Sequence, residues 1–289
     1  MTGFTWPAGK RAAAAFTFDV DAESAVLADR PDAASRMSVM THQAYGPRTG
    51  VPRILRILER HGVRGTFFVP GYTAELHPDA IASIRDAGHE IGHHGYLHEP
   101  PHLATAEQEE ANLLRGLEAL ERTVGVRPSG YRAPWWEATY RTPGLLARHG
   151  FRYDSSLMDA DRPYQLATGA EPGAPSIVEI PIQWGLDDWE QYGFLPGLTG
   201  SGVIESPAKA LEMWSAELEA LAAEGGCFVM TMHPFLSGRA SRAKVLDELI
   251  AHAREIPGLW IATLDEIARH VEQLALEPAV HRQPPIPGG

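Results

Sequence analysis

Ala13-Ala14-Ala15-Phe16-Thr17-Phe18-Asp19-Val20-Asp21 decides the fold. A short run of almost unbroken small and apolar residues ends in two carboxylates. A strand of a parallel sheet reads this way, because helices cover both of its faces and leave no side for a polar set. Similar runs recur at 65–69, 90–94, 130–133, 151–155, 177–181, 228–233 and 260–263. Helix signals fall between them. Val51–His61 sets Ile54, Leu55, Ile57 and Leu58 along one side, and Gly62 stops it. Pro78 opens a helix that Gly88 ends, and Thr105-Ala106-Glu107-Gln108 is a capping box for a long helix to Thr123. Thr142-Pro143 starts a helix ended by Gly150, and Ser206-Pro207 caps one over 208–224. A helix over 240–255 follows, then a last one capped by Thr263 with Glu266 at its third position.

About eight strand–helix units in roughly 270 residues predict one α/β domain, a single irregular (β/α) barrel of seven or eight parallel strands. The competing topology is an open doubly wound sheet. It calls for a Gly-rich phosphate loop after the first strand, and the sequence has none. The barrel is expected over 1–276. Residues 277–289, ending Gln283-Pro284-Pro285-Ile286-Pro287-Gly288-Gly289, read as a Pro-rich extended or disordered tail. The stretch from 22 to 50 is long for a first βα loop. It reads as a cover for the site or an assembly surface, with Met37, Val39, Met40 and Tyr45 to bury.

An apolar fraction of 44% in 289 residues suffices for a large core. A formal net charge of −12 argues against nucleic-acid partners and anionic membrane surfaces. A single cysteine, Cys227, excludes an intramolecular disulfide and fits a reducing compartment. Met1-Thr2-Gly3-Phe4-Thr5-Trp6-Pro7 has neither a basic region nor an apolar core of a signal peptide, and no run is long enough to span a membrane. The expectation is a cytoplasmic protein.

Active sites of such barrels lie at the C-terminal ends of the strands. Asp19 and Asp21 end the first strand, His94 the third and Arg132 the fourth, in Gly130-Tyr131-Arg132-Ala133-Pro134-Trp135-Trp136. Asp154 ends the fifth, Trp184 and Asp187 follow the sixth, and His233 ends the seventh. Ionisable groups scattered at random would not all fall at the same end. His94 and His98, in His93-His94-Gly95-Tyr96-Leu97-His98, are four apart, as on one face of a helical turn that binds a divalent metal. A carboxylate would complete a three-ligand open site. Asp19 and Asp21 are two apart on a strand and point the same way, so one can bind metal while the other stays free as a base. The plainer readings are a solvated histidine-rich loop and an Asp-x-Asp turn. Arg132 beside Asp19 would hold it ionised, and His233 could protonate a leaving amine with Asp154 holding its ring. The alternatives are a surface ion pair, a core histidine and a turn residue. Trp135, Trp136, Trp184 and Trp189 wall a pocket or fill the core. His93 points to the opposite strand face from His94.

On these residues the chain resembles the polysaccharide deacetylase superfamily from about Ala13 to Val271. Thr17-Phe18-Asp19-Val20-Asp21 is similar to its first motif, His94 and His98 to its His-x-x-x-His motif, and Arg132-Ala133-Pro134-Trp135 to its third. Asp154 matches the fourth motif and His233 the fifth. The resemblance implies Asp19 as base, Asp21, His94 and His98 as ligands of a divalent metal, most readily Zn2+, and His233 as acid. It further implies that the Trp135 N–H serves the oxyanion. Val20 separates two aspartates that the polysaccharide-cleaving members carry adjacent, and Trp135 replaces a usual tyrosine. Asp-Val-Asp-Ala-Glu and Trp184-Gly-Leu-Asp-Asp-Trp189 look like an intracellular branch of peptidoglycan-deacetylase-like proteins and cyclic imide or ureide hydrolases, whose members tend to be homotetramers. The implied function is metal-dependent hydrolysis of a non-peptide carbon–nitrogen bond, removing N-acetyl groups from amino sugars. A small cyclic imide or ureide is the alternative substrate, and a catalytically silent carbohydrate-binding barrel the alternative of another class.

Overall fold

The computed structural model describes residues 3–171, 173–195, 199–200 and 203–286. The described strands are β1 (Ala12–Asp19), β2 (Thr66–Val69), β3 (Glu90–His93), β4 (Gly130–Tyr131), β5 (Tyr153–Asp154), β6 (Tyr164–Ala167), β7 (Ser176–Glu179), β8 (Phe194–Leu195), β9 (Thr199–Gly200), β10 (Cys227–Met232) and β11 (Leu259–Ile261). Nine form one sheet in the order β10-β1-β2-β3-β4-β5-β7-β6, with β11 also on β1. All pairings in it are parallel except β6 on β7. The small β8–β9 hairpin stands apart.

The eight expected strands are all present, but they do not close a barrel. The sheet curls into a half-barrel that stays open between its edge strands, β6 and β10. Across that gap runs the segment after β7, joined to β10 by a single bridge, Asp187 to Thr231. Strand β6 was not foreseen. Its alternation is brief, with Tyr164 and Leu166 buried, as suits a short edge strand.

Strand β1 organises the two sides of the sheet. Its period of two sends Ala12, Ala14, Phe16 and Phe18 outward, to pack with Ile54, Leu58, Trp214 and Leu249 of the helices. It sends Ala13 and Ala15 inward, against Phe68, Tyr153, Val178 and Val229. Thr17, Asp19 and Asp21 continue the inward set. Small residues low in the curl and carboxylates at its upper end are therefore one pattern. The helices match their sequence signals closely. Val51–His61 ends with Gly62 in the left-handed conformation, and Thr105–Gln108 and Thr263–Glu266 both form complete capping boxes.

Two expectations need correction. The stretch from 22 to 50 is helical, with Glu23–Asp29, Pro31–Ser35, Met37–Tyr45 and Gly46–Gly50 leading into Val51–His61. Val26, Ala33, Val39 and Leu195 form their own cluster with Met40 packed on it, while Met37 is 79% exposed. Most of the apolar surface assigned to assembly is thus buried within the chain. The tail, in turn, is anchored: Ala279 N–H donates to Gln165 O and accepts through its carbonyl from Ala167 N–H, and His281 meets the Tyr164 hydroxyl at 3.0 Å. Residues 287–289 lie outside the described residues.

Gly92 on β3 is set by close approach, since a Cβ there would lie 2.5 Å from Cδ1 of the buried Phe68 ring. Gly92→Ala should therefore destabilise the fold by about 1–3 kcal/mol through overpacking. Urea or thermal unfolding checks this, and an unchanged midpoint would contradict it.

Candidate metal and catalytic site

Seven polar side chains converge above the upper ends of β1, β3, β4 and β10: Asp19, Asp21, His94, His98, Arg132, Asp188 and His233, each 6% exposed or less. They reach this place by different local routes. Asp19 ends β1 on its inward face. His94 follows β3, and its Nδ1 donates to Arg132 O at 2.8 Å, which leaves Nε2 facing Asp21 Oδ1 3.4 Å away. The expected helical turn between His94 and His98 does not form. Gly95 (φ 74°) and His98 (φ 64°) are left-handed, and a loop folds His98 back so that the two rings lie 4.8 Å apart. A side chain at Gly95 would also meet Pro134 at 2.9 Å.

Arg132 is fully buried, and each of its three side-chain nitrogens has an acceptor. Nη1 donates to Asp19 Oδ1 (2.9 Å), Thr17 Oγ1 (2.8 Å) and Thr231 Oγ1 (3.2 Å). Nε donates to Ser155 O and Nη2 to Ser155 Oγ, both at 3.1 Å. Its guanidinium lies 4.3 Å over the Phe68 ring. Burial alone would raise the Asp19 pKa, but Arg132, then His94 and His233, outweigh it and hold the carboxyl below its ordinary value. Asp21 goes the other way: burial lifts its pKa, and His233 and His94 offset this only in part.

The Asp21, His94 and His98 donor atoms all lie within 4.8 Å of one another. Asp21 Oδ1 is buried without a hydrogen-bond donor, and burial, then His94 and His233, keep the His98 ring neutral. An Asp21 oxygen with no donor, beside the ring nitrogens of His94 and His98, fits a divalent cation. The group Asp187, Asp188 and His233 has similar spacing. Its atoms are committed, because Asp188 Oδ1 accepts from both the N–H and Nδ1 of His233, and Oδ2 from Ser237 Oγ.

A cleft of about 340 Å³ opens over this set, lined by Trp135, Trp136, Trp184 and Trp189, with Asp187 and Glu190 among its polar residues. Trp136 and Trp184 stack with ring centroids 4.5 Å apart, and Trp184 is 46% exposed.

Peptidoglycan deacetylase of Helicobacter pylori is 33% identical to this chain over 281 residues, spanning 88% of the chain and 94% of that protein. The chain belongs to the polysaccharide deacetylase family. The family's sequence profile matches residues 32–153. A peptidoglycan deacetylase-like protein of Gibberella zeae is 31% identical, over 87% of this chain and 83% of its own length. Among solved structures, a Mycobacterium smegmatis protein assigned to the polysaccharide deacetylases shares 53% identity, with a TM-score of 0.96 and 99% of each chain covered. A Puue allantoinase shares 25% identity, with a TM-score of 0.78 over 93% of this chain and 92% of its own. As a polysaccharide deacetylase the protein is a hydrolase of carbon–nitrogen bonds other than peptide bonds.

For this polysaccharide deacetylase the sequence assigned one partner wrongly. Asp154 does not hold His233. It lies beneath Arg132, where its Oδ1 accepts from Ser156 Oγ at 2.6 Å. Asp188 holds the ring instead, at 2.7 Å from Nδ1, with Asp187 at 3.5 Å. Burial would lower the His233 pKa, but Asp187, Asp188 and Asp21 more than reverse this and keep it well above the ordinary value. The signal for Asp188 was present in Asp187-Asp188-Trp189, two adjacent acids in the segment that follows β7. What could not be read was that this segment crosses the open edge of the sheet.

The metal assignment has a direct check. Elemental analysis should find about one divalent ion per chain. His94→Ala, His98→Ala or Asp21→Ala should remove it, whereas Asp19→Asn should keep it. Full metal content in both histidine variants would place the site elsewhere.

Proposed function

We propose that the protein removes N-acetyl groups from amino sugars by metal-assisted amide hydrolysis. The observation that carries this reading is the convergence of a three-ligand set, an ionised Asp19 and a protonated His233 on one Trp-walled cleft. Asp21, His94 and His98 would hold the ion, and zinc suits two imidazoles and a carboxylate. When bound, such an ion polarises the scissile carbonyl and makes water a better nucleophile. Asp19, fixed by Arg132, accepts the proton of the attacking water. No acceptor for the Trp135 N–H occurs among the described residues, and this donor suits the oxyanion. His233, its Nδ1 held by Asp188, turns Nε2 toward the cleft and protonates the departing nitrogen. The stacked Trp136 and Trp184 offer a flat apolar face for a sugar ring.

The names of the Helicobacter pylori and Gibberella zeae relatives support this substrate class. The lone buried Cys227 supports a cytoplasmic setting. Among the described residues no helix is long and apolar enough to cross a membrane. A homotetramer is the proposed assembly, on the family resemblance and the exposed Met37 and Leu103.

Acetate release from chitooligosaccharides and peptidoglycan fragments, measured beside succinimide and hydantoin turnover, tests the substrate class. The sugars should be deacetylated, and Asp19→Asn should lower kcat by about 10²–10⁴-fold, the usual range for a general base. Turnover of the imides alone would overturn the reading. Light scattering should give a tetramer, and a monomer at micromolar concentration would refute that part.

A further inference from the structure

Two acids beneath the site are unaccounted for by the chemistry above. Asp154 on β5 and Glu179 on β7 are directly paired in the sheet, and both are 0% exposed. Each keeps one oxygen with no other partner, Asp154 Oδ2 and Glu179 Oε2. Two buried carboxyl groups side by side, each with one idle oxygen, is the arrangement expected of a pair joined by one proton. Their remaining oxygens are occupied. Glu179 Oε1 accepts from the N–H of Ser156 (3.1 Å) and of Leu157 (2.9 Å). Asp154 Oδ1 accepts from Ser156 Oγ, which in turn accepts from Ala133 N–H at 2.8 Å. The turn 155–157 is thus tied down by Glu179 on one side and Asp154 on the other. That turn supplies Ser155 O and Ser155 Oγ, two of the acceptors that hold Arg132, and Ser155 Oγ is itself anchored on Ile180 O at 2.8 Å.

We infer that Glu179 is a positioning residue for the reaction: joined to Asp154 through one shared proton, it clamps the 155–157 turn and so sets Arg132 against Asp19. The groups facing the pair are Tyr131 on β4, Arg132 just after it, and Tyr164 on β6. None offers a second cation, so the pair keeps its proton. Burial pushes Asp154 up to about 6, and burial together with the Asp154 charge holds Glu179 well above its ordinary value. An acid whose folded pKa is raised binds more protons folded than unfolded. Its contribution to stability is complete below the unfolded value of 4.5 and is lost as pH climbs toward the folded one.

The test uses Glu179→Gln, Glu179→Leu and Ser155→Ala in the full chain. Its kinetic arm rests on the function proposed above, and its unfolding arm does not. In thermal unfolding from about pH 5 to pH 9, wild type should lose stability with rising pH and Glu179→Gln should lose clearly less, since its amide donates to Asp154 without a titrating proton. Parallel profiles would overturn the shared proton. In kinetics, Glu179→Leu should lower kcat by about 10²-fold with KM and bound metal unchanged, the scale of a misplaced catalytic group. Glu179→Gln should stay within about threefold of wild type by keeping both hydrogen-bonding roles. A folded, metal-loaded Glu179→Leu with wild-type kcat, or equal damage in the Gln and Leu variants, would overturn the positioning role. If Glu179→Leu does not fold, Ser155→Ala decides: a lowered kcat at constant KM supports the role, and an unchanged kcat overturns it. Wild type inactive on every acetylated sugar would count against the proposed function, and the unfolding arm would still decide the proton.

Discussion

The buried ion pair of Arg132 and Asp19 is the constraint on which the rest of the site depends. A guanidinium with no exposed atom keeps its charge only if its donors are matched, and here the acceptors come from β1, β10 and the turn after β5. Removing one member of such a pair typically costs about 3–5 kcal/mol, because the partner charge stays buried and uncompensated. The pair therefore joins stability to chemistry. It draws together strands from both ends of the sheet and leaves one Asp19 oxygen, Oδ2, facing the cleft beside His94.

Asp19 and four further buried carboxyl groups around this pair have different duties, set by their surroundings. Asp19 meets a cation and stays ionised. Asp21 has two imidazoles and an idle oxygen, which suits a metal ion. Asp188 has every oxygen committed and works through the ring it holds. Asp154 and Glu179 face each other with no cation of their own and keep a proton between them. Identical chemistry is sorted by what each group touches, the usual way an enzyme runs acid and base steps at one pH.

The half-barrel explains why the partner of His233 comes from an unexpected segment. A closed barrel would join the edge strands β6 and β10 through the sheet. In the open sheet the 180–188 segment crosses that gap, and Asp188 N–H donates to Thr231 O. This delivers the Asp188 carboxylate to His233 at a level that no strand end reaches. The same crossing carries Trp184 onto Trp136, so one departure from regularity builds both the proton donor's support and a wall of the cleft.

The strands, most helices and the ionisable residues that gather at the upper end of the sheet are legible in the chain itself. They depend on local rules: apolar runs, a period of two that aligns Thr17, Asp19 and Asp21, capping boxes at Thr105 and Thr263, and ionisable residues placed where apolar runs stop. Partnerships depend on distance in space, which local rules do not encode. The turn that brings His98 back to His94 is not helical, because Gly95 and His98 take positive φ. Asp154, at the end of β5, was the nearer candidate by strand position, and Asp188 lies well beyond the end of β7. Only the path of the 180–188 segment across the open sheet gave Asp188 to His233 and left Asp154 to Glu179. The sequence by itself determined which ionisable residues would gather and at which end of the sheet, and the tertiary structure alone decided which of them would touch.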